Sequence, residues 1–212
     1  MKQHTEVRLK QLLDEYQLTA FEHQIREIII EVSKFKHYNK ILICGNGGSS
    51  SDSLHVVGEL MKNFTIERAI DHTFIGRYLN LYGQDELLSK TQGTVRAISL
   101  TSETSLLTAI SNDIGYDYVF SQQVYGYGDQ GDILFAFSTS GNSQSIINAC
   151  KIAKSINIKV VGFTGELGGK LSSCADILFN VNYKDTFKIQ QAHEILYHII
   201  CMGIEYERFY KL

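Results

Sequence analysis

Apolar positions along the chain follow three rhythms. Over 1–36, Val7, Leu9, Leu12 and Leu13, then Phe21, Ile25, Ile28, Ile29, Ile30 and Val32 recur at helical spacing among charged residues, which predicts two amphipathic helices. Five short, nearly unbroken apolar runs follow at 40–44, 94–100, 132–137, 158–163 and 175–181. Such runs, bounded by turn residues, are strands buried on both faces. Helix-compatible sequence separates four of them, so the pattern predicts a single α/β domain over 1–212 with a five-stranded, mostly parallel sheet flanked by helices. A long terminal helix is predicted from about 185 to 210, with Ile189, Ile195, Leu196, Ile199, Ile200 and Ile204 as its apolar stripe. Around 195–204 it is apolar on nearly every side, as expected of a helix packed on its own sheet and on a second subunit. Residues 64–93 break the rhythm and read as a partly helical insertion.

Composition narrows the class. The 212 residues are 44% hydrophobic and 20% charged, enough apolar material for a core and too little charge for a disordered chain. The absence of proline removes polyproline linkers and cis-proline turns. A net charge of -3 without basic clusters argues against nucleic acid or an anionic membrane as partner. The charged amino terminus lacks the apolar core of a signal peptide, and no apolar run reaches the ~20 residues of a membrane helix, so a cytoplasmic protein is expected. Cys44, Cys150, Cys174 and Cys201 show no CxxC spacing and read as reduced thiols.

Two loops carry candidate chemistry. Ligands of open parallel sheets bind beyond the carboxyl ends of the strands, where helix amino termini present unpaired N–H groups. The first run ends in Cys44-Gly45-Asn46-Gly47-Gly48-Ser49, and the third in Ser138-Thr139-Ser140-Gly141-Asn142-Ser143. Glycines admit close backbone approach, and hydroxyls with N–H groups suit a phosphate bound without cations. A dinucleotide fingerprint fails, because Ser50 stands at its third glycine and no acid ends the second strand. A triphosphatase phosphate loop fails for want of its GxxxxGK lysine. Behind the first loop, His55 and Glu59 lie four residues apart on one helical face, fit to share a metal or to act as base and partner. The terminal helix adds Gln190, His193 and His198.

At these positions the sequence resembles the phosphoheptose isomerases of the sugar isomerase superfamily. The motifs are the CGNGGS loop with His55 and Glu59 behind it, Ser-Asn-Asp-x-Gly at 111–115, Ser-Thr-Ser-Gly-Asn-Ser at 138–143, Thr-Gly-x-x-Gly-Gly-Lys at 164–170, and Gln190, His193 and His198. The resemblance implies one zinc per subunit on His55, Glu59, Gln190 and His198. It implies substrate contacts at Asn46, Gly47, Gly48, Ser49, Glu59, Asn112, Asp113, Ser138, Thr139, Ser140, Ser143 and Gln190. The implied reaction turns D-sedoheptulose 7-phosphate into D-glycero-D-manno-heptose 7-phosphate through an enediol, with Glu59 as base and His198 as acid, in a homotetramer with sites at subunit contacts.

Two features depart from that family's pattern. Asn63 stands where the family commonly has arginine, with Lys62 beside it as a substitute, and 64–93 is longer than the usual connection. Gln190 and His198 also lie ~12 Å apart along a straight helix and ~80° apart in direction. Sharing one metal therefore requires a broken helix or a second subunit, and the second is the expectation here. A non-catalytic adaptor domain of the replication-initiator-binding type and an isomerase of another sugar phosphate stand as alternatives; the intact His55, Glu59, Gln190 and His198 set argues against the adaptor.

Overall fold

The computed structural model describes residues 1–210. Five strands, β1 (Ile41–Gly45), β2 (Ala97–Ser99), β3 (Ile133–Phe137), β4 (Lys159–Thr164) and β5 (Ile177–Asn180), form one sheet in the order β2-β1-β3-β4-β5. Every pairing is parallel, with Ile41 opposite Ala97 on one side and Ile133 on the other. The expected mostly parallel sheet is thus wholly parallel. The run at 94–100 contributes only three strand residues, to the edge strand β2, whose single neighbour is β1.

Alternation along the strands divides the core into two layers. Ile41, Ile43, Phe135, Phe137, Phe163 and Phe179 face α1 (Gln3–Glu15), α2 (Glu22–Ser33), α3 (Gly48–Met61) and α9 (Thr186–Phe209). Leu42, Cys44, Leu134, Ala136 and Val160 face the other way, onto α6 (Thr104–Asp113), α7 (Val119–Tyr127) and α8 (Gln144–Ser155). Both predicted amino-terminal helices are present. Cys44, Cys150, Cys174 and Cys201 are unpaired thiols, and burial pushes Cys150 up to about 12, which keeps it protonated and unreactive.

The segment 64–93 is partly helical, as expected, with α4 (His72–Tyr82) and α5 (Glu86–Lys90). The Asp71 carboxylate caps α4 by accepting from the amides of Thr73 and Phe74, yet α4 buries no residue. The segment's two ends meet: the Gly93 amide donates to the Arg68 carbonyl at 3.0 Å. A β-carbon at Gly93 would lie 2.5 Å from the Ala69 carbonyl oxygen, so only glycine permits this approach.

Helix α9 runs unbroken for 24 residues. Its Ile189, Leu196, Ile199, Ile200 and Ile204 are buried, whereas Ile195 stands 37% exposed. His193 belongs to the core: it is fully buried against Phe137 and Phe163 and donates from Nε2 to the Thr164 carbonyl at 3.3 Å. Burial lowers its pKa to about 4. Between pH ~6.5 and ~4 the unfolded chain takes up a proton at this position that the native chain refuses, so stability falls as pH drops through that window. The full effect is on the order of 3 kcal/mol. His193→Gln, which keeps the donor without the titration, is expected to flatten this part of the profile in denaturant unfolding measured from pH 7 to pH 4; an unchanged slope would place the acid sensitivity elsewhere.

Candidate active site

The chain leaves β1 toward β2 on one side of the sheet and leaves β3 toward β4 on the other. The loops after these neighbouring strands therefore diverge and open a crevice at the switch point. Both loops singled out in the sequence meet there. Asn46, after β1, donates from Nδ2 to Ser143 Oγ at 2.8 Å and to Ser145 Oγ at 3.1 Å, and accepts from the Tyr116 hydroxyl at 2.6 Å. Gly47 turns the chain into α3 with φ of 57°, the left-handed region that glycine enters freely. Gly48 lies under the Gln190 side chain, since a β-carbon there would meet Nε2 at 2.4 Å. The amide of the buried Ser49 closes the turn onto the Asn46 carbonyl.

The second loop is held by its backbone. Ser138 donates to the Phe163 carbonyl, Gly165 donates to the Thr139 carbonyl, and Gly141 donates back to the Ser138 carbonyl. Ser140 Oγ accepts from the Asn142 amide at 3.2 Å. Ser143 occupies the N-cap of α8, yet its side chain caps none of the helix amides; those N–H groups and the dipole end of α8 suit an anion. Asn112 and Asp113 end α6, exposed and bonded to each other at 2.8 Å. No hydrogen bond links them to either loop; the contact from that region comes from Tyr116 instead.

A second cluster sits two turns farther along α3. His55 Nε2 lies 3.2 Å from Glu59 Oε1 and 3.4 Å from His198 Nε2, and His55 Nδ1 lies 2.9 Å from the Tyr197 hydroxyl. Phe64 stacks on His198 with ring centres 5.6 Å apart. Burial, and then the neighbouring His55, lower the His198 pKa, which favours its neutral ring. Burial raises Asp52 to about 6, the negative charge of Glu194 adds to this, and His55 offsets part of it. Glu59 is largely enclosed, and its Oε2 has no hydrogen-bond partner.

The far end of the cluster is pinned by Arg68 and Glu205, whose side chains are fully buried. Arg68 donates to Glu205 at 2.7 Å and to the carbonyls of Leu60 and Glu59, each at 2.6 Å. Glu205 also accepts from the amides of Phe64 and Thr65 and from the Thr65 hydroxyl. Asn63, where the resemblance led one to expect arginine, accepts from the Arg68 amide, while Lys62 turns its ammonium to the Asn63 carbonyl.

A divalent metal suits this donor set. Ligands held ~2.0–2.2 Å from zinc at tetrahedral corners are ~3.3–3.5 Å apart, which matches the His55 to His198 spacing of 3.4 Å. The structure does not gather all four implied ligands in one protomer. His55 approaches both Glu59 and His198, but Gln190 is two turns away on an unbroken helix, against Gly48. A broken α9 is thereby excluded. The sequence reading missed Glu194, Tyr197, Tyr116, Ser145 and Phe64. Glu194 had a signal, because Gln190, Glu194 and His198 repeat every four residues on one face; Tyr197 had none, sitting in a stripe that reads as core.

Comparison with known proteins gives a consistent picture. A family described as SIS domain matches residues 87–165. A phosphoheptose isomerase of Aliarcobacter butzleri is 40% identical over 178 residues, 84% of this chain and 82% of that protein. The structure of a phosphoheptose isomerase from Neisseria gonorrhoeae superposes with a TM-score of 0.70 at 34% identity, covering 94% of this chain and 92% of that one. One from Francisella tularensis gives 0.73 at 26% identity, covering 96% and 98%.

Truncating Glu205 strands the Arg68 guanidinium without its countercharge. Glu205→Ala is expected to cost about 3–5 kcal/mol in denaturant unfolding. Lys154→Ala, which breaks the half-exposed pair with Asp176, is expected to cost less than about 1 kcal/mol; similar losses for the two would show that the buried pair is not a principal tie.

Proposed function

The chain belongs to the phosphoheptose isomerase family and is a sugar phosphate isomerase, and from that premise we propose that it converts D-sedoheptulose 7-phosphate to D-glycero-D-manno-heptose 7-phosphate. The observation that carries this reading is the approach of Glu59 and His198 to the same nitrogen of His55, at 3.2 and 3.4 Å, along the helix that begins at the hydroxyl-lined crevice. A carboxylate and an imidazole are the two proton carriers that an enediol route requires.

The phosphate end belongs in the crevice, where Ser138, Thr139, Ser140, Ser143 and the first amides of α8 supply donors without a cation. Asn46, Gly47, Gly48, Ser49 and Gln190 belong to the approach to α3, and Asn112 and Asp113 are assigned to the substrate by the resemblance alone. Holding the phosphate fixes the open chain, so the reacting carbons return to one place at each encounter. Glu59 takes a proton from C1 of the ketose and returns it to C2. Its unpartnered Oε2 leaves a lone pair for that task. His198, held neutral by burial, protonates the C2 oxygen with its N–H and receives the proton that leaves the C1 hydroxyl. His55 and His198, with a neighbouring carboxylate, would hold a zinc ion, which when bound polarises the carbonyl and stabilises the enediolate charge.

The assembly belongs to the same reading. The exposed Ile195, set in the otherwise buried stripe of α9, leaves an apolar position open to a neighbouring subunit, and a homotetramer is the assembly that the resemblance implies. No helix among the described residues is long and apolar enough to cross a membrane, in keeping with a cytoplasmic enzyme acting on a water-soluble sugar.

Incubation with sedoheptulose 7-phosphate and a panel of hexose and pentose phosphates is expected to yield the heptose aldose fastest, and no aldose from any of them would exclude the reaction. Glu59→Gln is expected to lower kcat about 10²- to 10⁴-fold with the fold retained; substantial turnover would remove Glu59 as the base. Ser140→Ala is expected to raise KM on the order of tenfold through loss of one charge-assisted hydrogen bond, against no change for His37→Ala. Equal KM values would undo the assignment of the phosphate end.

A further inference from the structure

We propose that Tyr116 is a positioning residue for the phosphate end of the site, acting through Asn46 to leave the Ser143 hydroxyl proton to the bound anion. The inference rests on the assignment of that end to the crevice, and it names a residue just beyond the Ser-Asn-Asp-x-Gly motif. The Tyr116 hydroxyl donates to Asn46 Oδ1 at 2.6 Å, while Asn46 Nδ2 lies 2.8 Å from Ser143 Oγ and 3.1 Å from Ser145 Oγ. A carboxamide has one acceptor oxygen and two N–H donors. With the phenol proton on the oxygen, the nitrogen faces the two seryl oxygens as a donor. Both serines then accept from Asn46, and neither gives its own proton to it. The two hydroxyls stand 3.5 Å apart, beyond the usual reach of an O–H···O bond. The Ser143 proton is thereby left to an anion at the amino terminus of α8.

Without the phenol proton, the amide has a second arrangement of equal shape. Rotated by half a turn, it takes the seryl protons on Oδ1, and the hydroxyls then turn lone pairs to an anion that needs donors. The scaffold holds Tyr116 where it selects the first arrangement. Gly115 turns the chain after α6 with φ of 120°, a conformation that favours glycine, and Tyr116 opens the single 3₁₀ turn over 116–118. Asn148 of α8 donates to the Asp117 carbonyl at 2.9 Å. The turn is thus fastened to the same helix whose first amides face the anion. The Tyr116 side is otherwise open, with the residue 55% exposed, so the hydroxyl can be removed without unpacking the core.

Calorimetric titration of inorganic phosphate into wild-type protein, Tyr116→Phe, Asn46→Ala and the double variant tests this coupling without turnover. Tyr116→Phe is expected to weaken phosphate binding about three- to tenfold, as the loss of one hydrogen bond does, with an unchanged circular dichroism spectrum. In the Asn46→Ala background the same substitution is expected to have no further effect, because the group it acts through is gone. With sedoheptulose 7-phosphate as substrate, Tyr116→Phe is expected to raise KM by the factor seen for phosphate and to leave kcat within about twofold. A general loosening of the fold would lower kcat as well. Equal phosphate affinity in wild type and Tyr116→Phe, an equal loss in both backgrounds, a fall in kcat as large as the rise in KM, or no phosphate bound by the wild type would overturn the proposal. Failure of the isomerase reading has a separate signature: the phosphate affinities keep the expected order, yet the wild type turns over no sugar phosphate.

Discussion

The site depends on two helices lying side by side and pointing the same way. Three ties set the alignment of α3 and α9 in order: Gly48 under Gln190, His55 against Tyr197 and His198, and the last carbonyls of α3 clamped through Arg68 to Glu205. The last tie is the strongest. A guanidinium and a carboxylate with no solvent exposure are costly to bury unless their hydrogen bonds are made, and here Arg68 takes two carbonyls and Glu205 takes two amides and a hydroxyl besides each other. Sliding either helix by one turn would break these bonds and separate the two histidines by ~5 Å. Core packing brings the helices together, and the polar clamp chooses their register.

Much of this was legible in the residues. Unbroken apolar runs ending in glycine or hydroxyl clusters located the strands and the crevice, because a parallel sheet covered on both faces leaves no polar alternation to mislead. His55 and Glu59 were legible because four residues on a helix return to one face. Other features were not. The pairing of His55 with Tyr197 spans 142 residues and exists only through the α3 and α9 contact, which no local pattern encodes. Glu194 could have been found from its spacing to Gln190 and His198, but the resemblance directed attention to the motif positions and away from it. The departure at Asn63 has a local answer, since its side chain steadies Arg68, and Arg68 is spent on structure.

His193 and His198 show how one helix separates two uses of a single residue type. Five positions apart, they face directions ~140° from each other. His193 lies among phenylalanine rings with one carbonyl as its partner, and burial removes its charge across the neutral range. His198 is partly open, stacked on Phe64 and beside His55. The first is a core residue with a satisfied donor; the second keeps a nitrogen available to the solvent-facing cluster.

The meeting of Arg68 with Gly93 has an evolutionary consequence. Everything from 69 to 92 leaves and re-enters the body through a neck that is already fastened, and closing a loop costs only logarithmically more as the loop lengthens. Chain can therefore be added or deleted beyond this neck while the catalytic groups stay where they are. Such a fastened annex, here α4 with its uncovered aromatic rings, can change in length without disturbing the alignment of α3 and α9.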